Sequence, residues 1–111
     1  MLAAEIEPAF PAGRRRSPRA PTAIDTDLER DGLDRALCRI VDLSLHGARL
    51  QTYQPLTRGA TMWLTLPQLG TRAATIVWSS DFLAGCQFFE RLTDGEFEKL
   101  LDLDATLRRD W

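Results

Sequence analysis

One hundred and eleven residues leave room for one hydrophobic core, and 44% hydrophobic with 27% charged residues is ordinary globular composition, which excludes a collagen-like or disordered chain. A net charge of −2 and a pI near 5.3 argue against a surface that tracks DNA or RNA, because each neutralised phosphate needs its own cation. No stretch approaches the roughly 18 consecutive apolar residues of a membrane-spanning helix, and the start has acids at Glu5 and Glu7 and no apolar signal core, so the chain is expected to be cytoplasmic, with no membrane insertion.

The chain begins with Pro8, Pro11, Pro18 and Pro21 in its first 21 residues, which reads as an extended arm. Residues 1–13 are expected to form a flexible N-terminal segment and residues 14–111 a single domain. Within "GRRRSPRAP", Arg14, Arg15, Arg16 and Arg19 form a +4 cluster, followed by "DTDLERDGLD" with five acids against one arginine. Ser17 precedes Pro18 and is pushed out of the α region, so Arg15 and Arg19 do not share a helical turn. Four residues of extended chain span up to roughly 13 Å, enough for two guanidinium forks to straddle a small anion of about dinucleotide size. Such forks pair bidentately with phosphate oxygens or with the O6/N7 edge of guanine. The same run also reads as a solvated basic tail.

"TAIDTDLE" alternates as a strand does, and "ERDGLD" supplies the turn of a hairpin. "RALCRIVDLSLHGARLQT" reads as a strand, a turn or bulge at Gly47, and a second strand. "ATMWLTLP" alternates up to Pro67, "TRAATIVWSS" is β-branched and aromatic, and "FLAGCQFFE" is short and apolar, making about six strands. Trp63 has the opposite parity to Met62, Leu64 and Leu66, so one of these sets faces outward. The period then changes: Thr93 with Glu96 forms a capping box, and Phe97, Leu100, Leu101 and Leu107 recur at helical spacing. The pattern predicts a mainly β fold, a closed six-stranded antiparallel barrel whose end is covered by a C-terminal α-helix. Cys38 and Cys86 have neither disulfide nor zinc-ligand spacing and are expected to be buried thiols.

The second cluster of interest is "DLSLHG", residues 42–47. On a regular strand Asp42 and Ser44 share a face, a carboxylate beside a hydroxyl that suits the N1–H and N2–H₂ donors of guanine, while Gly47 gives either positive φ or a close backbone approach. The alternative is a strand end in which both side chains bond backbone amides. Asp42, Ser44 and His46 are also the residue types of a hydrolase triad, but strand neighbours of one face stand about 6.5 Å apart, too far for a nucleophile and its base. His46 reads as a turn residue and forms no metal-ligand spacing with either cysteine. Trp78 offers either a flat face for a purine or core filling.

Together the arm and the turn resemble the PilZ domain family of bacterial cyclic di-GMP receptors. The resemblance rests on an RxxxR arm, Arg15 to Arg19, followed two strands later by a [D/N]xSxxG turn, Asp42 to Gly47. "GARLQT", the strand ending "LP", "IVW" and "GCQFFE" before a helix continue the family layout over about residues 14 to 104. It implies a barrel with a helix, no enzymatic activity, no cofactor, and cyclic di-GMP held between arm and barrel face. Arg15 and Arg19 would hold phosphate and guanine edges, Asp42 and Ser44 the other guanine edge, and Gly47 the backbone geometry. Arg14 resembles the basic residue of members that bind two intercalated ligands, and Trp78 is placed by its strand position alone.

A receptor of this size would signal through an effector protein that the sequence does not identify. The alternative of another class is a protein-interaction adaptor of the same fold that binds no nucleotide; such a chain typically lacks the arginines or the Asp-x-Ser pair that this one retains. An oligonucleotide-binding barrel is disfavoured by net acidity.

Overall fold

The computed structural model describes residues 19–30 and 35–109; residues 1–18, 31–34 and 110–111 lie outside it, and with them Arg14, Arg15, Arg16, the segment 1–13 and the tip of the first hairpin. Among the described residues there are six strands, β1 (Ala20–Arg30), β2 (Arg35–Leu43), β3 (Gly47–Thr52), β4 (Thr61–Leu66), β5 (Gly70–Ser80) and β6 (Leu83–Phe88), then helix α1 (Asp94–Arg109). Every neighbouring pair is antiparallel, and the order β1-β2-β3-β6-β5-β4 closes through β1 and β4 into the expected barrel. The closing seam is short, from Leu28 opposite Leu64 to Arg30 opposite Met62.

Alternation decides which side chains fill the barrel. In β4, Met62, Leu64 and Leu66 are fully buried while Trp63 is half-buried on the outer face, so the parity of that strand resolves with the aliphatic set inward. Ile24, Leu28, Ile40, Leu50 and Ile76 complete the central layers. Pro67, which has no N–H for a ladder, follows the end of β4, and Gly70 adopts the positive φ of 93° that starts β5. Cys38 and Cys86 are free and buried, as expected, and burial pushes both thiols up to about 12.

Three register shifts interrupt the ladders, between Pro21 and Ile24, between Ile40 and Asp42, and between Ile76 and Trp78. An extra residue in one strand turns the following side chain to the opposite face. Regular alternation would send Asp42 inward behind Ile40 and Trp78 inward behind Ile76. With the bulges, Asp42 lies opposite outward-pointing Arg49, and Trp78 lies opposite Gly85. Leu43 takes the next core position, 1% exposed.

The helix starts as its capping box predicts: Glu96 N–H donates to Thr93 Oγ1 at 3.1 Å, and Thr93 N–H donates to Glu96 Oε1 at 3.0 Å. Arg72 of β5 forms an ion pair with the same Glu96 carboxylate. The helix packs on β1 through fully buried Leu100 and through Asp104, whose Oδ1 accepts the Ala23 N–H. Leu107, expected on the apolar stripe, is 40% exposed, because the stripe continues beyond the part of the helix that the barrel covers. No helix among the described residues is long and apolar enough to cross a membrane.

Candidate ligand site on the barrel wall

The end of β2, the start of β3, the C-terminal part of β5 and the middle of β6 surround an open concavity of about 190 Å³. Arg19, Asp42, Ser44, Gly47 and Trp78 all line it. These are five of the seven residues singled out from the sequence; Arg14 and Arg15 lie outside the described residues.

Asp42 is the electrostatic centre. Its side chain is only 10% exposed, and its Oδ2 accepts from Arg19 Nη1 at 3.1 Å and from Arg49 Nη2 at 3.3 Å. A buried carboxylate is tolerated because both cations compensate its charge. Among the described residues both arginines converge on Oδ2, which leaves Oδ1 as an acceptor. Two arginines against one aspartate give the concavity a positive balance.

Ser44 departs from the regular-strand expectation. β2 ends at Leu43, and the Ser44 hydroxyl closes the turn by accepting from the N–H groups of His46 (3.3 Å) and Gly47 (3.2 Å) while lying 3.3 Å from the Gly47 carbonyl. Asp42 and Ser44 therefore do not stand side by side as alternate residues of one strand. Ser44 does what a turn serine does, and Asp42 pairs with arginines rather than backbone amides. What the hydroxyl receives from His46 is the backbone N–H.

Gly47 is required by close approach. A Cβ built there would lie 2.1 Å from the Cys86 carbonyl oxygen, and its φ is not positive. Gly85 plays the matching part on β6, where an added Cβ would fall 2.1 Å from Trp78 Nε1. The indole thus lies flat across a strand that has no side chain at that point, 38% exposed, with one side turned to the concavity. Trp78 is a wall residue and not core filling.

Sequence reasoning missed Arg49, His46, Gly85 and Gln87 as lining residues. Arg49 carried a usable signal, since it stands two positions after Gly47 on the same face of one strand. Gln87 and Gly85 become neighbours of the site only through the β3–β6 pairing, Gly47 with Gln87 and Arg49 with Gly85, which joins segments far apart in sequence.

The model of the PilZ domain matches residues 13–103. No match is found among curated proteins. Among solved structures, the chain is similar to the PilZ domain of CeSA from a cellulose-synthesizing bacterium, with 17% identity, a TM-score of 0.57, and 83% of this chain and 99% of that one covered. It is likewise similar to the PilZ domain with c-di-GMP of YcgR from Escherichia coli, with 17% identity, a TM-score of 0.53, and 87% and 93% covered. At that identity these likenesses speak for the fold alone, whereas the family match spans most of the chain and includes both the arm and the Asp42–Gly47 turn. With the barrel, the helix and the motif positions in agreement, the chain belongs to the PilZ domain family.

Proposed function

We propose that the chain is a cyclic di-GMP receptor that binds the dinucleotide between its N-terminal arginine arm and the barrel wall, and passes the signal to a partner protein. The observation that carries this reading is the gathering of Arg19, Asp42, Ser44, Gly47 and Trp78 around one concavity at the point where the arm joins β1. Cyclic di-GMP presents two phosphates and two guanines, and each has a counterpart. Arg15 and Arg19 supply bidentate donors for phosphate oxygens or for the O6/N7 edge. Asp42 Oδ1 accepts the N1–H and N2–H₂ donors of the opposite guanine edge. Trp78 offers an indole face, where stacking of a base is worth about 1–3 kcal/mol. Ser44 and Gly47 act by shaping the turn. Arg14 extends the arm for a second, intercalated ligand.

In this reading residues 14–111 work as one domain, the chain performs no catalysis, needs no cofactor and binds neither DNA nor RNA. The likeness of fold to the YcgR PilZ domain with c-di-GMP, and the chain's own PilZ family match, support this reading. Retention of both the arginines and the Asp-x-Ser pair favours a receptor over a nucleotide-free adaptor. Calorimetric titration with cyclic di-GMP tests it: wild type binds, and Arg15→Ala, Arg19→Ala and Asp42→Ala each weaken binding by more than about 1.5 kcal/mol, the lower end for a hydrogen bond to a charged group. A wild-type chain without measurable heat would favour the adaptor.

A further inference from the structure

We infer that Arg49 is the fixed half of a two-arginine clamp on Asp42, and that Arg19 is the exchangeable half, so that Arg49 positions Asp42 for guanine while the ligand draws Arg19 away. The inference rests on the cyclic di-GMP reading of the same site and adds a residue outside the RxxxR and [D/N]xSxxG motifs.

The two arginines reach the same oxygen from very different supports. Arg19 stands before β1 outside any strand, and its side chain is 67% exposed. Arg49 lies inside β3, directly opposite Asp42 on β2 on one side and opposite Gly85 of β6 on the other, with its side chain 45% exposed. Strands of a closed barrel hold their neighbours in register, so the Arg49–Asp42 pair is fixed by the ladder and the Arg19–Asp42 pair is not.

Charge then dictates the order of events. A ligand phosphate competes with Asp42 for the Arg19 fork. If Arg19 were the sole partner, its departure would leave a carboxylate with 10% exposure uncompensated, a strongly unfavourable state that would oppose binding. Arg49 removes that obstacle. It keeps Oδ2 occupied, which leaves Oδ1 for the guanine N–H donors. Arg49 is therefore a positioning residue for base recognition rather than a phosphate ligand.

The test separates these roles with two probes that share the cyclic bis-phosphate ring and differ in their bases. Cyclic di-AMP lacks the N1–H and N2–H₂ donors that Asp42 accepts. Affinities of the full chain for cyclic di-GMP and, by competition, for cyclic di-AMP are measured for wild type, Arg49→Ala and Arg49→Lys, with circular dichroism confirming the fold. Arg49→Ala is expected to lose about tenfold or more for cyclic di-GMP and less than about twofold for cyclic di-AMP, and Arg49→Lys to recover most of the loss. Equal losses for both probes would make Arg49 a phosphate contact, and unchanged affinities would mean that Asp42 needs no second cation; either result overturns the clamp. A wild-type chain that binds neither probe overturns the receptor reading itself and the exchange with it.

Discussion

Asp104 of helix α1 accepts a hydrogen bond at 2.9 Å from the backbone N–H of Ala23, a residue 81 positions earlier in the chain. Ala23 lies within the register shift of β1, where the ladder to β2 is interrupted between Pro21 and Ile24. Thr22 compensates in the same place, its hydroxyl donating to the Ile40 carbonyl at 2.6 Å. Asp104, only 5% exposed, thus supplies the acceptor that the strand pairing does not. Pro21, on the other flank of the shift, is opposite Asp42. The helix therefore braces the strand that carries the arm.

Replacement of Asp104 by alanine is expected to leave that N–H unsatisfied and to lower unfolding free energy by about 1–3 kcal/mol, whereas Asp104→Asn retains an acceptor oxygen and costs less. Urea denaturation of the two variants checks this. Equal losses would mean that the charge, and not the acceptor, matters.

The two close-approach glycines should fail differently. Gly47→Ala drives a Cβ into the Cys86 backbone carbonyl, which cannot step aside without parting β3 from β6, so the variant should lose about 3 kcal/mol or more of stability. Gly85→Ala meets the Trp78 indole first, a side chain rather than backbone. That variant should fold, with altered tryptophan fluorescence and weaker ligand binding. Matching melting temperatures for the two would contradict the assignment.

Glu96 is held below the usual carboxylate range first by its hydrogen bond from Arg72 and then by the Thr93 N–H, and Asp25 is lowered by its hydrogen bond from Arg39. A carboxyl with a lowered value in the folded state contributes stability above its unfolded value, near 4 for these groups, and loses it as pH falls through the folded one. Melting temperature should accordingly fall as pH drops below about 4.5. Arg72→Ala should lower it at neutral pH and have a smaller effect at a pH acid enough to protonate Glu96 in both proteins. An equal Arg72→Ala effect at both pH values would show that the pair contributes packing alone.

Both thiols, with values near 12, should be inert in the native protein. Two thiols per chain should react with a chromogenic disulfide at pH 8 in denaturant, and none on the same timescale without it. Rapid native labelling would mean that the barrel opens readily near β2 or β6.

The strands of the barrel were legible because alternating aliphatic residues, as in Met62, Leu64 and Leu66, admit one inward face, and Thr93 with Glu96 marks a helix start by itself. The bulges were not legible. Ile40-Val41-Asp42 and Ile76-Val77-Trp78 read as unbroken alternation, and only pairing with β3 and β6 shows the extra residue that turns Asp42 and Trp78 outward. Asp104 was hidden for a related reason, since nothing near it in sequence indicates an unpaired amide on β1. The sequence leaves Ser44 open as a strand residue or as a turn residue bonded to backbone amides, and its hydroxyl is committed to the turn that ends the strand.

The most direct test is where cyclic di-GMP acts. In proton–nitrogen spectra of the ¹⁵N-labelled chain, saturating cyclic di-GMP should shift the Trp78 indole signal and the amides of Ser44, Gly47 and Gly85, which surround the concavity. Leu37 and Tyr53, at the opposite ends of β2 and β3, should stay in place. An unchanged spectrum in large ligand excess, or shifts confined to Leu37 and Tyr53 with Trp78 unmoved, would contradict a receptor built on Asp42 and its arginines.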